Sequence, residues 1–203
     1  MKTILYLIRH AQSYPTSRQN YPEWPLSSLG KNQANNLGIL LENLGITKVL
    51  SSSFTRCIQT VEPFAERNNI NIVIENDLRE RLIAKNIIDG FYNIWYKSWE
   101  DFDFALPGCE TSAQAQERFV TVVSKLAVSN RGKIIALCTH GNVIGLFLNW
   151  IDKTVGRMEA ERLRNPDIIR VTMNGGKFKW DKHFILSGLN AISTDHKETP
   201  IER

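Results

Sequence analysis

Apolar residues recur along this chain in two rhythms, and their alternation predicts an α/β fold. The runs Thr3-Ile4-Leu5-Tyr6-Leu7-Ile8 and Lys133-Ile134-Ile135-Ala136-Leu137-Cys138 are aliphatic, β-branched and too short for helices. They predict buried strands over about 3–9 and 133–138. Val49 and Leu50 close a shorter strand over 47–51, and residues 71–75 predict another. Between the strands the period changes. Ala34, Leu37, Leu40 and Leu41 lie at helical spacing and predict a helix from Leu29 to about Leu44, stopped by Gly45. Further helices are expected over about 55–68, from a Thr111/Gln114 capping box to about Val128, after His140, and over 154–163. Ile168 to Met173 and Lys177 to Asp181, joined across Asn174-Gly175-Gly176, predict a hairpin.

Three stretches fall outside these rhythms. Residues 11–28 are polar, contain Pro15, Pro22 and Pro25, and read as a long loop beside the first strand. Tyr14, Tyr21 and Trp24 within it suit a substrate rim and local packing equally well. Residues 76–106 show no clear period but crowd aromatic side chains, among them Phe91, Tyr92, Trp95, Tyr96, Trp99 and Phe102. That composition fits either a lid over a site or a satellite core. Beyond Leu186 the chain turns polar, and about 187–203 is expected to be a loose tail.

Chemistry gathers where strands end. Arg9-His10 directly follows the first strand, the end at which open α/β sheets place ligands. A guanidinium grips phosphate with a rigid fork of donors, and an imidazole can attack phosphorus. The strand over 133–138 ends in Thr139-His140-Gly141-Asn142 and leads into an apolar helix, so two parallel strands would bring two imidazoles to one sheet edge. Free N–H groups at that helix start, around Asn142, suit an anion. A third piece is Ser51-Ser52-Ser53-Phe54-Thr55-Arg56, which puts Arg56 in the first turn of a helix after the second strand.

Taken in order, these pieces resemble the histidine phosphatase superfamily, the group that contains the cofactor-dependent phosphoglycerate mutases. Arg9-His10-Ala11 stands for the family's Arg-His-Gly, and Ser52 to Thr60 for its Ser-Ser-x-x-x-Arg-x-x-Gln-Thr. Thr139-His140-Gly141 matches the second histidine turn, and Leu78-Arg79-Glu80 the acid. Pro107-Gly108-Cys109-Glu110-Thr111-Ser112 with Arg118, and Pro25-Leu26-Ser27-Ser28-Leu29-Gly30 with Gln33-Ala34, look like two further family segments. The chain departs from the pattern at Ala11, at Gln12-Ser13, and in the glycine-free stretch Arg81-Leu82-Ile83-Ala84-Lys85-Asn86 after the acid.

The resemblance implies a phosphoglycerate mutase-like, three-layer α/β/α sandwich around a mostly parallel sheet, in one domain over 1–203. It also implies a mechanism. His10 attacks phosphorus as the neutral imidazole, its other ring nitrogen donating to a backbone carbonyl. Arg9, Arg56 and His140 surround the phosphoryl oxygens. Glu80 exchanges the proton with the leaving oxygen and with water, Asp77 and Asp89 being the alternatives. Thr16 stands where many members carry a phosphate-contacting asparagine, and its hydroxyl can donate; Thr16 and Asn142 complete the expected phosphate pocket. No metal and no cofactor are expected, because arginines supply the positive charge. The shortness of the segment from Arg81 to Thr139 favours a metabolite phosphatase over a mutase; a non-catalytic phospho-ligand binder is a further alternative.

Bulk properties add a few bounds. At 203 residues and 42% hydrophobic the chain suits one core. A formal charge of +4 favours anionic partners, and a small phosphorylated metabolite is the expected one. The basic residues are dispersed, without an aromatic and basic strip, so nucleic acid is not expected. No apolar run is long enough to span a membrane. Cys57, Cys109 and Cys138 are odd in number and widely spaced, which suits reduced thiols in a cytoplasm. A homodimer is left open. His183 and His196 lie outside the motifs and are not expected to be catalytic.

Overall fold

The structure is a computed structural model, and the residues described are 1–16, 18–86 and 88–195. Six strands form one sheet: β1 (Thr3–Arg9), β2 (Lys48–Ser51), β3 (Ile72–Ile74), β4 (Ile134–Thr139), β5 (Asp167–Asn174) and β6 (Lys177–Trp180). Their spatial order is β3-β2-β4-β1-β5-β6. The first four run parallel; β5 lies antiparallel to β1, and β6 antiparallel to β5. The helices are α1 (Ser28–Leu41), α2 (Thr55–Arg67), α3 (Phe91–Glu100), α4 (Ser112–Ser129), α5 (Gly141–Ile151), α6 (Arg157–Glu161) and α7 (Leu189–Ile192).

The strand pleat explains the layering. Successive side chains point to opposite faces, so Leu5 and Leu7 join Ile135 and Leu137 under α4 and α5, while Tyr6 and Ile8 join Val49, Ala136 and Cys138 under α1 and α2. Both faces are covered, which is why β1 and β4 read as unbroken apolar runs. The expected three-layer sandwich around a mostly parallel sheet is therefore what forms. Thr111 accepts from the Gln114 N–H and Gln114 returns a bond to the Thr111 N–H, so the expected capping box starts α4.

Two expectations change. The aperiodic stretch contains α3, whose Trp95 and Trp99 are buried against α5 while Phe91 and Tyr92 stay exposed. Lid and core are thus two faces of one helix. The loose tail expected from residue 187 is also corrected as far as Asp195. Leu186, Leu189 and Ile192 recur every three residues and cover the α1 side of the sheet. The Gln33 side-chain amide donates to the carbonyls of Asn165 and Ile192, and Thr194 bridges back to Asn165. A short apolar stripe inside polar composition escaped the sequence reading. Residues 196–203, including His196, lie outside the described residues.

The loop after β1 is fastened to the start of α1. Gln33 Oε1 accepts from the Gln12 N–H at 2.9 Å, the Ser27 hydroxyl donates to Gln12 Oε1, and Ser27 also caps α1 through the Gly30 N–H. Gly30 permits this approach, since a Cβ there would lie 2.0 Å from the Gln12 carbonyl oxygen. That obstacle is backbone and cannot rotate away. Gly30→Ala should cost about 2–3 kcal/mol and lower Tm by about 5–10 °C in a chain of this size. Lys31→Ala, one residue along and exposed, should leave the melting curve within about 1 °C.

Candidate active site

The register of β1 with β4 sets the distance between the two histidines. Arg9 sits opposite Thr139, so His10 and His140 leave neighbouring parallel strands at the same level. Their rings lie 5.2 Å apart at 66°, and the His10 N–H donates to the Thr139 carbonyl. The first turn of α2 then brings Arg56 between them. All four predicted groups at this edge meet, for Arg9 passes over the start of α5. Gly141 makes room, because a Cβ there would lie 2.8 Å from the Arg9 guanidinium carbon.

The hydrogen bonds fix each tautomer. His10 Nδ1 contacts the Ala11 carbonyl oxygen at 2.7 Å and must donate, so Nε2 keeps its lone pair. Arg56 Nε donates to that lone pair at 3.2 Å, and Arg56 Nη2 lies 3.3 Å from His140 Nδ1. A guanidinium can only donate, so His140 Nδ1 is also unprotonated. Its proton sits on Nε2, 2.9 Å from the Ser52 hydroxyl. Cys57 packs behind the ring, its sulfur 3.4 Å from His140 Nε2 while donating to the Thr139 carbonyl. The remaining Arg56 nitrogen, Nη1, donates to the Tyr21 carbonyl at 3.0 Å. The guanidinium carbon lies 4.6 and 4.8 Å from the ring centres of Tyr21 and Phe54, which pack edge to face against each other.

Glu80 arrives from the other side of the sheet. Its carboxylate accepts the N–H groups of Asn142 at 3.1 Å and Val143 at 3.2 Å, the free donors at the start of α5, and the Arg81 N–H at 2.9 Å. Neither neighbouring arginine neutralises it by a side-chain bond. Arg81 turns into the core, 2% exposed, and donates to the carbonyls of Phe104 and Glu110 and to the Ser112 hydroxyl. Arg79 pairs with Asp77. The glycine-free departure after Glu80 thus has a structural role: Arg81 ties the acid's segment to the α3–α4 connection. Arg118 holds the same segment by a paired bond to Glu110 and by the carbonyls of Asp77 and Arg79. Asp77, held by Arg79, and Asp89, on the exposed loop before α3, do not reach the α5 start as Glu80 does.

A family model described as histidine phosphatase superfamily (branch 1) matches residues 5–185. The chain belongs to the histidine phosphatase superfamily. A probable phosphoglycerate mutase GpmB of Salmonella paratyphi B is 26% identical over 179 residues, 82% of this chain and 83% of that one. Among solved structures, the fold is similar to a phosphoglycerate mutase from Bacillus anthracis, with a TM-score of 0.79, 18% identity and coverage of 94% and 96% of the two chains. It is also similar to a mycobacterial glucosyl-3-phosphoglycerate phosphatase, with a TM-score of 0.72, 20% identity and coverage of 89% and 98%.

Two residues of the expected phosphate pocket stand differently in this histidine phosphatase. Asn142 is 7% exposed; its Oδ1 accepts from the Trp95 indole at 3.0 Å, its main-chain N–H serves Glu80, and its Nδ2 has no partner among the described residues. It stands at the site with a donor to offer. Thr16 is buried in the loop, where its hydroxyl accepts the Arg18 N–H and its carbonyl the Trp24 indole. No bond joins it to Arg9, His10, Arg56 or His140. Trp95 and Ser52 were not singled out as site residues by sequence. Ser52 lay inside a matched motif, whereas nothing in the spacing of Trp95 points at Asn142, 47 residues away.

Burial dominates the electrostatics. It pushes both histidines well below the usual imidazole range, helped by Arg56 and Arg9 for His10 and by Arg56 and His10 for His140. Burial also raises the Glu80 carboxyl, against the opposing pull of the Arg81 and Asn142 N–H groups and of Arg56 and Arg9. Tyr21 is pushed up to about 12 by burial. The linkage is signed. An unfolded histidine binds a proton below about pH 6.5 and these folded ones do not, so acid favours unfolding. Stability should fall as pH drops below about 6.5, at up to about 1.4 kcal/mol per pH unit for each histidine. The raised Glu80 opposes this above its ordinary value of 4.5. Urea denaturation at stepped pH should therefore show a shallower acid loss in a His10→Gln/His140→Gln variant and a steeper one in Glu80→Gln.

Proposed function

We propose that this chain is a metal-independent phosphomonoesterase that works through a phosphohistidine at His10, on a small phosphorylated metabolite in the cytoplasm. The observation that carries the reading is the His10 ring, whose Nδ1 is locked on the Ala11 carbonyl while Nε2 holds its lone pair toward Arg56. Three free cysteines support a reducing compartment.

The steps follow from the contacts. An arriving phosphoryl group takes over donors of Arg56, which releases the His10 lone pair. Arg9 contributes Nε, a buried donor without a partner among the described residues. As Arg56 turns to phosphate, His140 Nδ1 loses the donor that kept it unprotonated, and the dianion favours a proton there. Ser52 holds the opposite nitrogen throughout. Nε2 of His10 attacks phosphorus, the bond to the leaving oxygen breaks, and Glu80 gives that oxygen its proton. Water then attacks the phosphorus, Glu80 takes the water's proton, and the N–P bond breaks to restore neutral His10. A raised carboxyl is suited to the first of these transfers, because it stays protonated nearer to neutral pH. A mutase reading draws on the name of the Salmonella relative; the short span between Glu80 and His140 supports hydrolysis instead.

Hydrolysis of p-nitrophenyl phosphate in EDTA tests the nucleophile. The wild type should turn over, and His10→Ala should lose at least about a thousandfold in kcat/KM; equal rates would overturn the assignment. Glu80→Gln separates leaving groups. Turnover of p-nitrophenyl phosphate, whose leaving group needs little protonation, should fall less than about tenfold, while an alkyl phosphate such as 3-phosphoglycerate should fall by about 10²–10⁴. The wild-type kcat/KM on the alkyl ester should have an acidic optimum, limited by His10 protonation at low pH and by Glu80 ionisation at high pH. Glu80→Gln should remove the alkaline limb. Release of free phosphate from 3-phosphoglycerate, rather than its 2-isomer, distinguishes phosphatase from mutase.

A further inference from the structure

Gln33, on α1, reaches the nucleophile without touching its ring. His10 Nδ1 donates to the Ala11 carbonyl at 2.7 Å, and that carbonyl shares one planar peptide with the Gln12 N–H. The Gln12 N–H donates in turn to Gln33 Oε1 at 2.9 Å. Turning this peptide to release His10 would therefore also break the bond to Gln33. Gln33 is 2% exposed, which shields the bond from solvent.

The far end of the side chain fixes which atom faces Gln12. Gln33 Nε2 lies 2.9 Å from the Asn165 carbonyl, 2.8 Å from the Ile192 carbonyl and 3.2 Å from the Thr194 hydroxyl. Carbonyls only accept, so this end is the NH2 group and the acceptor must point at Gln12. The neighbouring peptide is held in the same manner. The Asn165 side chain donates to the His10 carbonyl at 2.7 Å, and the Ala11 N–H donates to the Thr60 hydroxyl at 3.0 Å. Hydrogen bonds in series strengthen one another, by about 10–30% per bond. An acceptor at the Gln12 N–H adds negative charge to the Ala11 oxygen. That tightens its hold on the Nδ1 proton and leaves more electron density at Nε2. Burial, Arg56 and Arg9 lower the proton affinity of His10, and the Ala11 bond opposes them.

We propose that Gln33 is a positioning residue for His10: its Oε1, acting through the Ala11–Gln12 peptide, keeps the Nε2 lone pair aligned and nucleophilic. The proposal rests on His10 being the nucleophile. NMR of protein carrying isotope-labelled histidine reads the contact in the resting protein, the His10 Nδ1 proton being assigned by its absence from His10→Ala. Gln33→Met keeps the length of the side chain and removes both polar ends. Gln33→Glu removes the NH2 group but keeps an acceptor for Gln12. In Gln33→Met the Nδ1 proton should move upfield by about 1 ppm or more as its bond weakens. Its kcat/KM on p-nitrophenyl phosphate should fall at least about tenfold, with inhibition by inorganic phosphate within about threefold of wild type. Gln33→Glu should hold the resonance in place and recover the rate to within about threefold of wild type. A purely structural side chain would penalise the two variants alike, since both lose the NH2 bonds to Asn165, Ile192 and Thr194. Should Gln33→Met not fold, Gln33→Ala repeats the test in the same direction, because water can enter and relieve the stranded groups. An unmoved resonance or an unchanged rate without the acceptor, or a Gln33→Glu as impaired as Gln33→Met, would overturn the proposal. A wild type without turnover would strike the phosphatase reading instead, and the resonance would still report whether Gln33 controls the His10 ring.

Discussion

The arrangement depends on burying one guanidinium without giving it a carboxylate. Arg56 is 2% exposed, and its donors go to His10, His140 and the Tyr21 carbonyl while the rings of Tyr21 and Phe54 pack beside it. A carboxylate in that position would neutralise the charge that a phosphoryl group needs. Imidazole nitrogens and a carbonyl satisfy the hydrogen bonds and leave the charge in place. The same choice reinforces burial in keeping both histidines neutral, because a fixed cation against a buried ring opposes its protonation.

The acid is held by a related device. Glu80 takes free N–H groups at the start of α5, so one helix terminus orients the carboxylate and the preceding residue on the same strand end is His140. Oriented amides stabilise a carboxylate without a counter-ion, and burial lifts its proton affinity against them. His10, Arg56 and Glu80 thus all depend on β4 and the turn that follows it. Trp95 extends that dependence to α3 by orienting Asn142, and Arg81 fastens the Glu80 segment to the entry of α4.

Much of this was legible beforehand. β1, α4 and the β5–β6 hairpin fell within a residue or two of expectation, and α1 began within one residue of it but ended three short, because long apolar runs, a helical stripe and a capping box are local signals. Arg9, His10, Arg56 and His140 were legible because each lies at the end of such an element. α3 was not, since exposed Phe91 and Tyr92 and buried Ser98 blur the apolar and polar stripes of a helix whose Asn93, Lys97 and Glu100 face outward while Trp95 and Trp99 are buried. The C-terminal segment was hidden for the opposite reason, its three apolar anchors being diluted by polar neighbours.

The sequence by itself determined the kinds of element, their order, and which residues stand at strand ends, because these follow from side-chain chemistry repeated over a few positions. Only the tertiary structure decided that Arg56 meets both imidazoles and sets the tautomer of His140, that Ser52 meets the opposite ring nitrogen, and that Arg81 turns inward while Glu80 turns to α5. The physical reason is the same in each case. A hydrogen bond or a charge acts over a few ångströms of space, and strand pairing brings residues that close with no regard to the number of residues between them.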